Sequence, residues 1–320
     1  MTPGGRAPRW LLGIFAANLV AQTGIVITGG LVRLTGSGLG CPTWPQCAPG
    51  SFVPTRHQAE TFHKYIEFGN RSLTFVLGVL AIASIAGALT WNRKRRRAGA
   101  ALRSPVVWLA AVPLAGTFVQ AILGGITVLT GLNPIAVSVH FLVSAALIAG
   151  CLLLVVRARE TADQPLTVLV KPQIRMLSRA LVWVAVAVLT LGTIVTGSGP
   201  HSGDAEAAQR LPLDPRAISW LHADLVLLFL GLTIGMIIAL AVTDSPRTAR
   251  RRAWILLAVI GCQGVIGYTQ YFTGLPWPVV LFHLLGACLV WICVVALYLS
   301  MRARGEAPAA AELPAGTSPL

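Results

Sequence analysis

Apolar runs of about 20 residues alternate with short polar segments eight times along the chain, covering about 10–31, 65–91, 105–130, 135–157, 178–198, 217–242, 253–272 and 278–301. A helix of that length crosses the hydrocarbon core of a bilayer and satisfies its own backbone on the way. The pattern predicts an all-α integral membrane protein with eight transmembrane helices. The first run follows a short basic leader, MTPGGRAPR, with no small-residue cleavage site behind it. That reads as an uncleaved helix rather than a signal peptide.

The runs repeat. Gln120–His140 and Gln263–His283 align without a gap at an offset of 143, with seven of 21 positions identical, including the glutamines, Gly124/Gly267, a Thr-Gly-Leu turn and the histidines. A fainter echo pairs Gly24, Thr28 and Gly29 with Gly192, Thr196 and Gly197. Two four-helix halves starting on the same side of the membrane make parallel repeats about an axis along its normal. The expected organisation is an N-terminal four-helix half at 1–157, a linker at 158–177, a C-terminal four-helix half at 178–304 and a disordered tail at 305–320.

Composition narrows the class. The chain is 55% hydrophobic and 11% charged, against about 25% charged for a soluble domain, which excludes a soluble protein. Of 25 Lys and Arg, 19 fall in the N-terminus, the 92–104, 158–177 and 243–252 segments, the tail, and Arg157 and Arg179 flanking the linker, so nearly all of the net +14 lies on one face. Positive charge stays inside, which predicts a multi-pass cell-membrane protein with both termini cytoplasmic. The clusters at 93–97 and 250–252 then touch anionic lipid, and no nucleic-acid partner is expected. Cys41 and Cys47 fall in the first outer loop, where an oxidising compartment makes a disulfide the default. Cys151, Cys262, Cys288 and Cys293 lie in apolar runs, as small packing residues.

The polar residues inside the spans carry the candidate chemistry. His140 and His283 sit at the same depth of helices 4 and 8, and His222 lies near the start of helix 6. His222 and His283 together offer one axial nitrogen from each side to a flat iron macrocycle. Two histidines fall short of the four ligands of a closed zinc site. In the first half, symmetry sends the partner of His140 to the start of helix 2, where His63, Glu67 and Asn70 share one helix face. Glu67–Arg71 and Glu60–Lys64 have ion-pair spacing, but a carboxylate as deep as Glu67 is costly unless paired or functional. His57 reads as a solvated loop residue. His201 and Asp204 read equally as a loop pair near a cofactor or as plain surface.

The segment Leu31-Val-Arg-Leu-Thr-Gly-Ser-Gly-Leu-Gly-Cys-Pro-Thr-Trp-Pro-Gln-Cys47 resembles the first outer loop of haem A synthases. Ile66-Glu-Phe-Gly-Asn-Arg71, Gly124–Pro134 with His140, and Val195–Asp204 resemble that family too, and the likeness covers about residues 10–300. It implies an oxidoreductase that converts haem O to haem A, for cytochrome oxidase, by oxidising a ring methyl to a formyl group. The family pattern implies a second-half haem b held by His222 and His283, a substrate haem in the first half on His140, and Glu67 at the centre of catalysis. It also implies Asn70 and Arg71 against the substrate, and a Cys41–Cys47 disulfide. Haem O delivered by a haem O synthase would be the incoming partner; no electron acceptor is indicated. The family usually has Glu-x-x-His-Arg where this chain has Asn70. The substrate iron is then held by His140 alone, by His140 with His63, or with an axial side left open for chemistry. A non-catalytic di-haem b cytochrome explains the histidines but not why only one half has Glu67 and the cysteines. A transporter with parallel repeats would place its polar groups at mid-membrane.

Overall fold

The computed structural model describes residues 5–56, 58, 62–161, 163–201, 203–204 and 209–304. His57, the Glu60 expected opposite Lys64, and the tail at 305–320 lie outside the described residues. The chain forms α1 (Arg9–Leu34), α2 (His63–Arg97), α3 (Ser104–Leu129), α4 (Pro134–Arg159), β1 (Leu166–Val168), α5 (Pro172–Ser198), α6 (Pro215–Ala241), α7 (Arg247–Phe272), α8 (Trp277–Leu299) and β2 (Arg302–Arg304). Among the described residues, all eight helices are long and apolar enough to cross a membrane. The protein is all-α and multi-pass.

Boundaries follow local chemistry. Helix α2 continues past the expected end through Arg97, because basic side chains in a last turn complement the helix dipole. Helix α5 starts earlier than hydropathy indicates, at Pro172, a residue suited to a first turn. Asn133 caps α4 by accepting from the Ile135 and Ala136 amides (2.9 and 3.4 Å). Both Thr-Gly-Leu turns adopt the same left-handed conformation, with φ of 63° and 60° at Gly131 and Leu132 and 77° and 59° at Gly274 and Leu275. A leucine there costs roughly 1–2 kcal/mol, and both halves accept it to join their helices with a four-residue link.

Each half is a ring. Helix α1 packs on α2, α2 on α3, α3 on α4 and α4 back on α1, and α5 to α8 repeat the order. Helices α2 and α4 are therefore diagonal partners, as are α6 and α8. The rings join through α1, α4, α5 and α8, around an apolar core that includes Ile148, Leu181, Phe229 and Met236. Across this seam Trp291 donates its indole N–H to the Ala145 carbonyl (2.7 Å). Large apolar residues such as Trp108 (77% exposed) and Trp183 (72%) point outward, where lipid is the solvent.

The basic end is fastened. Arg103, 1% exposed, donates to the carbonyls of Gly5, Arg157 and Glu160 (2.6, 2.9 and 2.7 Å) and pairs with Asp163 at 3.1 Å. Arg157 pairs with both Glu160 and Asp163. The linker also holds a strand that sequence pattern missed: β1 runs antiparallel to β2, with Leu166 opposite Arg304. Three-residue strands are too short to leave a periodic signal.

Candidate functional site

A cavity of about 2220 Å³ occupies both rings toward the disulfide end, roughly twice the upper volume of a pocket for one small ligand. Its walls match residue for residue between halves. Gln22, Val26 and Gly29 of α1 occupy the places of Ala185, Leu189 and Gly192 of α5. Glu67, Asn70, Arg71 and Thr74 of α2 occupy those of Ser219, His222, Ala223 and Val226 of α6. Gly29, not Gly24, is thus the counterpart of Gly192, which corrects the register suggested by the sequence echo. The same register makes Asn70 the counterpart of His222.

Each inward polar group rests on a glycine of the preceding helix, which lets the two backbones approach closely. A Cβ on Gly192 would stand 3.3 Å from His222 Cε1, one on Gly267 3.3 Å from His283 Cε1, and one on Gly124 3.5 Å from His140 Cε1. On Gly29 it would meet Asn70 Nδ2 at 3.8 Å. The Nδ1 atoms of His140 and His283 are buried without a hydrogen-bond partner, and all three histidines line the cavity. His222 and His283 stand on diagonal helices and both line the cavity. Among the described residues no cluster of three or more His, Cys, Asp or Glu could hold a bare metal ion. The imidazoles suit a flat ligand that brings its own in-plane donors to the metal.

The repeated glutamines brace these histidines. Gln263 Nε2 donates to the His283 carbonyl at 2.7 Å, and Gln120 Nε2 to the His140 carbonyl at 3.1 Å. In the first half Ser144 adds a second donor to that carbonyl at 3.0 Å. The sequence marked both glutamines as identical without indicating this contact.

Glu67, 4% exposed, is fully engaged. Its Oε2 accepts the Cys41 amide (2.7 Å), and its Oε1 accepts from Arg71 Nε and Nη2 (3.0 and 2.5 Å). Arg71 in turn donates to the carbonyls of Cys41, Thr43 and Gln46 (2.6, 2.9 and 3.2 Å). Cys41 and Cys47 form a disulfide, so a closed loop sits on the Glu67–Arg71 pair and presents main-chain groups to both. Trp44 of this loop lies over Gly125 of α3, where a Cβ would come within 2.5 Å of the indole. The loop therefore ties α2 to α3 beside the cavity.

His63 is placed elsewhere. Its Nδ1 lies 2.8 Å from the Ser37 hydroxyl, and it is not among the residues lining the cavity. Lys64 donates to the Thr55 carbonyl at 2.8 Å. His201 bonds the Leu275 carbonyl through Nε2 (2.8 Å), and Arg33 reaches from α1 to the carbonyls of His201 and Thr196 (2.7 and 2.9 Å). That latch across the halves was invisible in sequence, because its acceptors are main-chain atoms.

A family model described as COX15-CtaA, cytochrome oxidase assembly protein, matches residues 8–295. The chain belongs to this family. Relatives named Heme A synthase include one from Bacillus pumilus, 34% identical over 153 residues, covering 46% of this chain and 44% of the relative. Another, from Geobacillus kaustophilus, is 32% identical over 142 residues, covering 42% and 40%. One from Exiguobacterium sibiricum is 29% identical over 190 residues, covering 59% and 60%. The matched stretches span between two-fifths and three-fifths of these relatives' lengths. The match to the cytochrome oxidase assembly family runs from the start of α1 to within α8, across both rings of the cavity.

Proposed function

We propose that this protein is a cell-membrane oxidoreductase that converts haem O to haem A, with both termini cytoplasmic and the cavity toward the outer leaflet. The first ring takes the substrate haem on His140, with Asn70 and Arg71 beside it. The second ring holds haem b between His222 and His283. Support comes from the histidines that line the cavity on diagonal helices, the glycine seats beneath the rings and the cavity volume, all of which fit two porphyrins. When bound, haem b supplies reversible one-electron chemistry.

The observation that carries the reading is an asymmetry within one plan. The second ring has Ser219 and Ala223 where the first has Glu67 and Arg71; Asp224 also lines its wall, but among the described residues only the first ring holds a carboxylate braced by a guanidinium and a main-chain amide. Glu67 can accept a proton from the substrate's methyl-derived group or stabilise positive charge developing on it. Arg71 and the Cys41 amide keep the carboxylate aimed into the cavity, and the disulfide loop with Trp44 screens it from water. Haem O arriving from a haem O synthase is the matching partner.

The test is co-expression with a haem O source and analysis of extracted haems. The wild-type chain should yield haem A, whereas Glu67→Gln should yield haem O while keeping the haem b spectrum. Normal haem A from Glu67→Gln would sink the assignment.

A further inference from the structure

We propose that Asn70, oriented by Thr28, is a hydrogen-bond donor facing the open axial side of the first-ring haem iron, opposite His140. The inference rests on the reading that the first ring binds a haem, and it specifies how that iron differs from the one in the second ring.

The two rings supply the argument. Asn70 takes the place of His222 on the helix diagonal to the histidine-bearing one, and each rests on a glycine of the preceding helix. In the second ring the diagonal ends in two imidazoles. In the first it ends in one imidazole and one carboxamide. An amide nitrogen has no lone pair free for a metal, so Asn70 can offer iron only its oxygen. That oxygen is occupied: Thr28 Oγ1 donates to Asn70 Oδ1 at 2.7 Å, closer than its other acceptor, the Ile25 carbonyl, at 3.2 Å. With Oδ1 turned toward α1, Nδ2 is the end left free. It lies over Gly29, which lines the cavity, and takes no partner among the described residues.

A second internal difference accompanies the first. In the register that pairs Gly29 with Gly192, the counterpart of Thr28 is Leu191. Where the diagonal residue is an amide, the preceding helix supplies a hydroxyl to hold it; where it is an imidazole, the preceding helix supplies an aliphatic chain. Asn70 and Thr28 thus behave as one device. The device keeps one side of the iron free of protein ligand and lines that side with an N–H donor beside Glu67. His63 does not compete for the position, since it does not line the cavity and its Nδ1 is bonded to Ser37.

The test uses the full-length, haem-loaded protein, reduced and exposed to carbon monoxide, read by infrared spectroscopy of the C–O stretch. CO should bind at the first-ring haem and not at the second. Asn70→Leu should still bind CO but move the stretch to higher frequency, because a donor to the bound ligand is gone. Thr28→Val should move it the same way by a smaller amount. Asn70→His should abolish CO binding and add a second low-spin bis-imidazole spectrum. The unchanged second-ring spectrum reports correct folding in every variant. An identical stretch in wild type and Asn70→Leu overturns the donor, and failure of the wild-type chain to bind CO overturns the open side. If His140→Ala leaves the CO adduct untouched, or only the second-ring haem is recovered, the haem is not in the first ring. The functional reading then fails, and the inference with it, by a signature distinct from the other two.

Discussion

The two rings share helix order, glycine seats and turn conformation, yet one holds a matched pair of imidazoles and the other an imidazole, an amide and a braced carboxylate. A symmetric pair closes both faces of a metal and favours reversible electron exchange. An unsymmetric set leaves one face to a reactant and places an acid–base group nearby. Under the proposed function, the duplicated scaffold would separate storing electrons from using them by changing a few cavity-facing side chains. The change is concentrated on the face of α2 and the loop above it.

The largest test of that contrast gives the first ring the second ring's residues. Replacing Glu67→Ser together with Arg71→Ala should lower haem A formation by about 10²–10⁴-fold, the span of general acid–base contributions, with haem b retained in the optical spectrum. His222→Ala should do the reverse, removing the low-spin signal of the second ring and leaving the first-ring haem in place by haem extraction. Next comes the fit of ring to helix. Gly267→Val brings a branched side chain against His283 and should cost about 1–3 kcal/mol by overpacking, seen as haem b lost on dilution. The same change at Gly124 should weaken the first-ring haem instead.

Smaller effects sharpen the picture. Arg103→Met leaves Asp163 and three carbonyls at the basic end short of a donor and should lower stability by about 3 kcal/mol. Haem spectra should stay unchanged, which thermal unfolding in detergent alongside spectroscopy would check. Gln263→Leu removes one neutral hydrogen bond and should cost about 1 kcal/mol with a slight shift of the haem b potential. Gln120→Leu removes two, to the His140 carbonyl and the Ser144 hydroxyl, but keeps that carbonyl satisfied through Ser144, so its effect on the first-ring haem should be no larger than a cost of about 1 kcal/mol.

Much of this molecule could be read from its letters. The eight spans, the repeat ending at His140 and His283, the Cys41–Cys47 bridge and the Glu67–Arg71 pair all rest on side-chain type and spacing. What escaped rests on main-chain atoms or on register. Arg71 and Arg33 are held by carbonyls, which no residue letter reports. The α1–α5 alignment misled because small residues recur at several nearby positions, and only packing selects Gly29 over Gly24. Thr28 escaped for the same reason, since its partner sits on another helix.

The short ribbon at the basic end orders events in time. Strand β1 lies between the halves, but its partner β2 follows the last helix. A chain made from its N-terminus must therefore leave Leu166–Val168 unpaired until all of α5 to α8 has emerged. Closure of that ribbon cannot precede the emergence of the last helix.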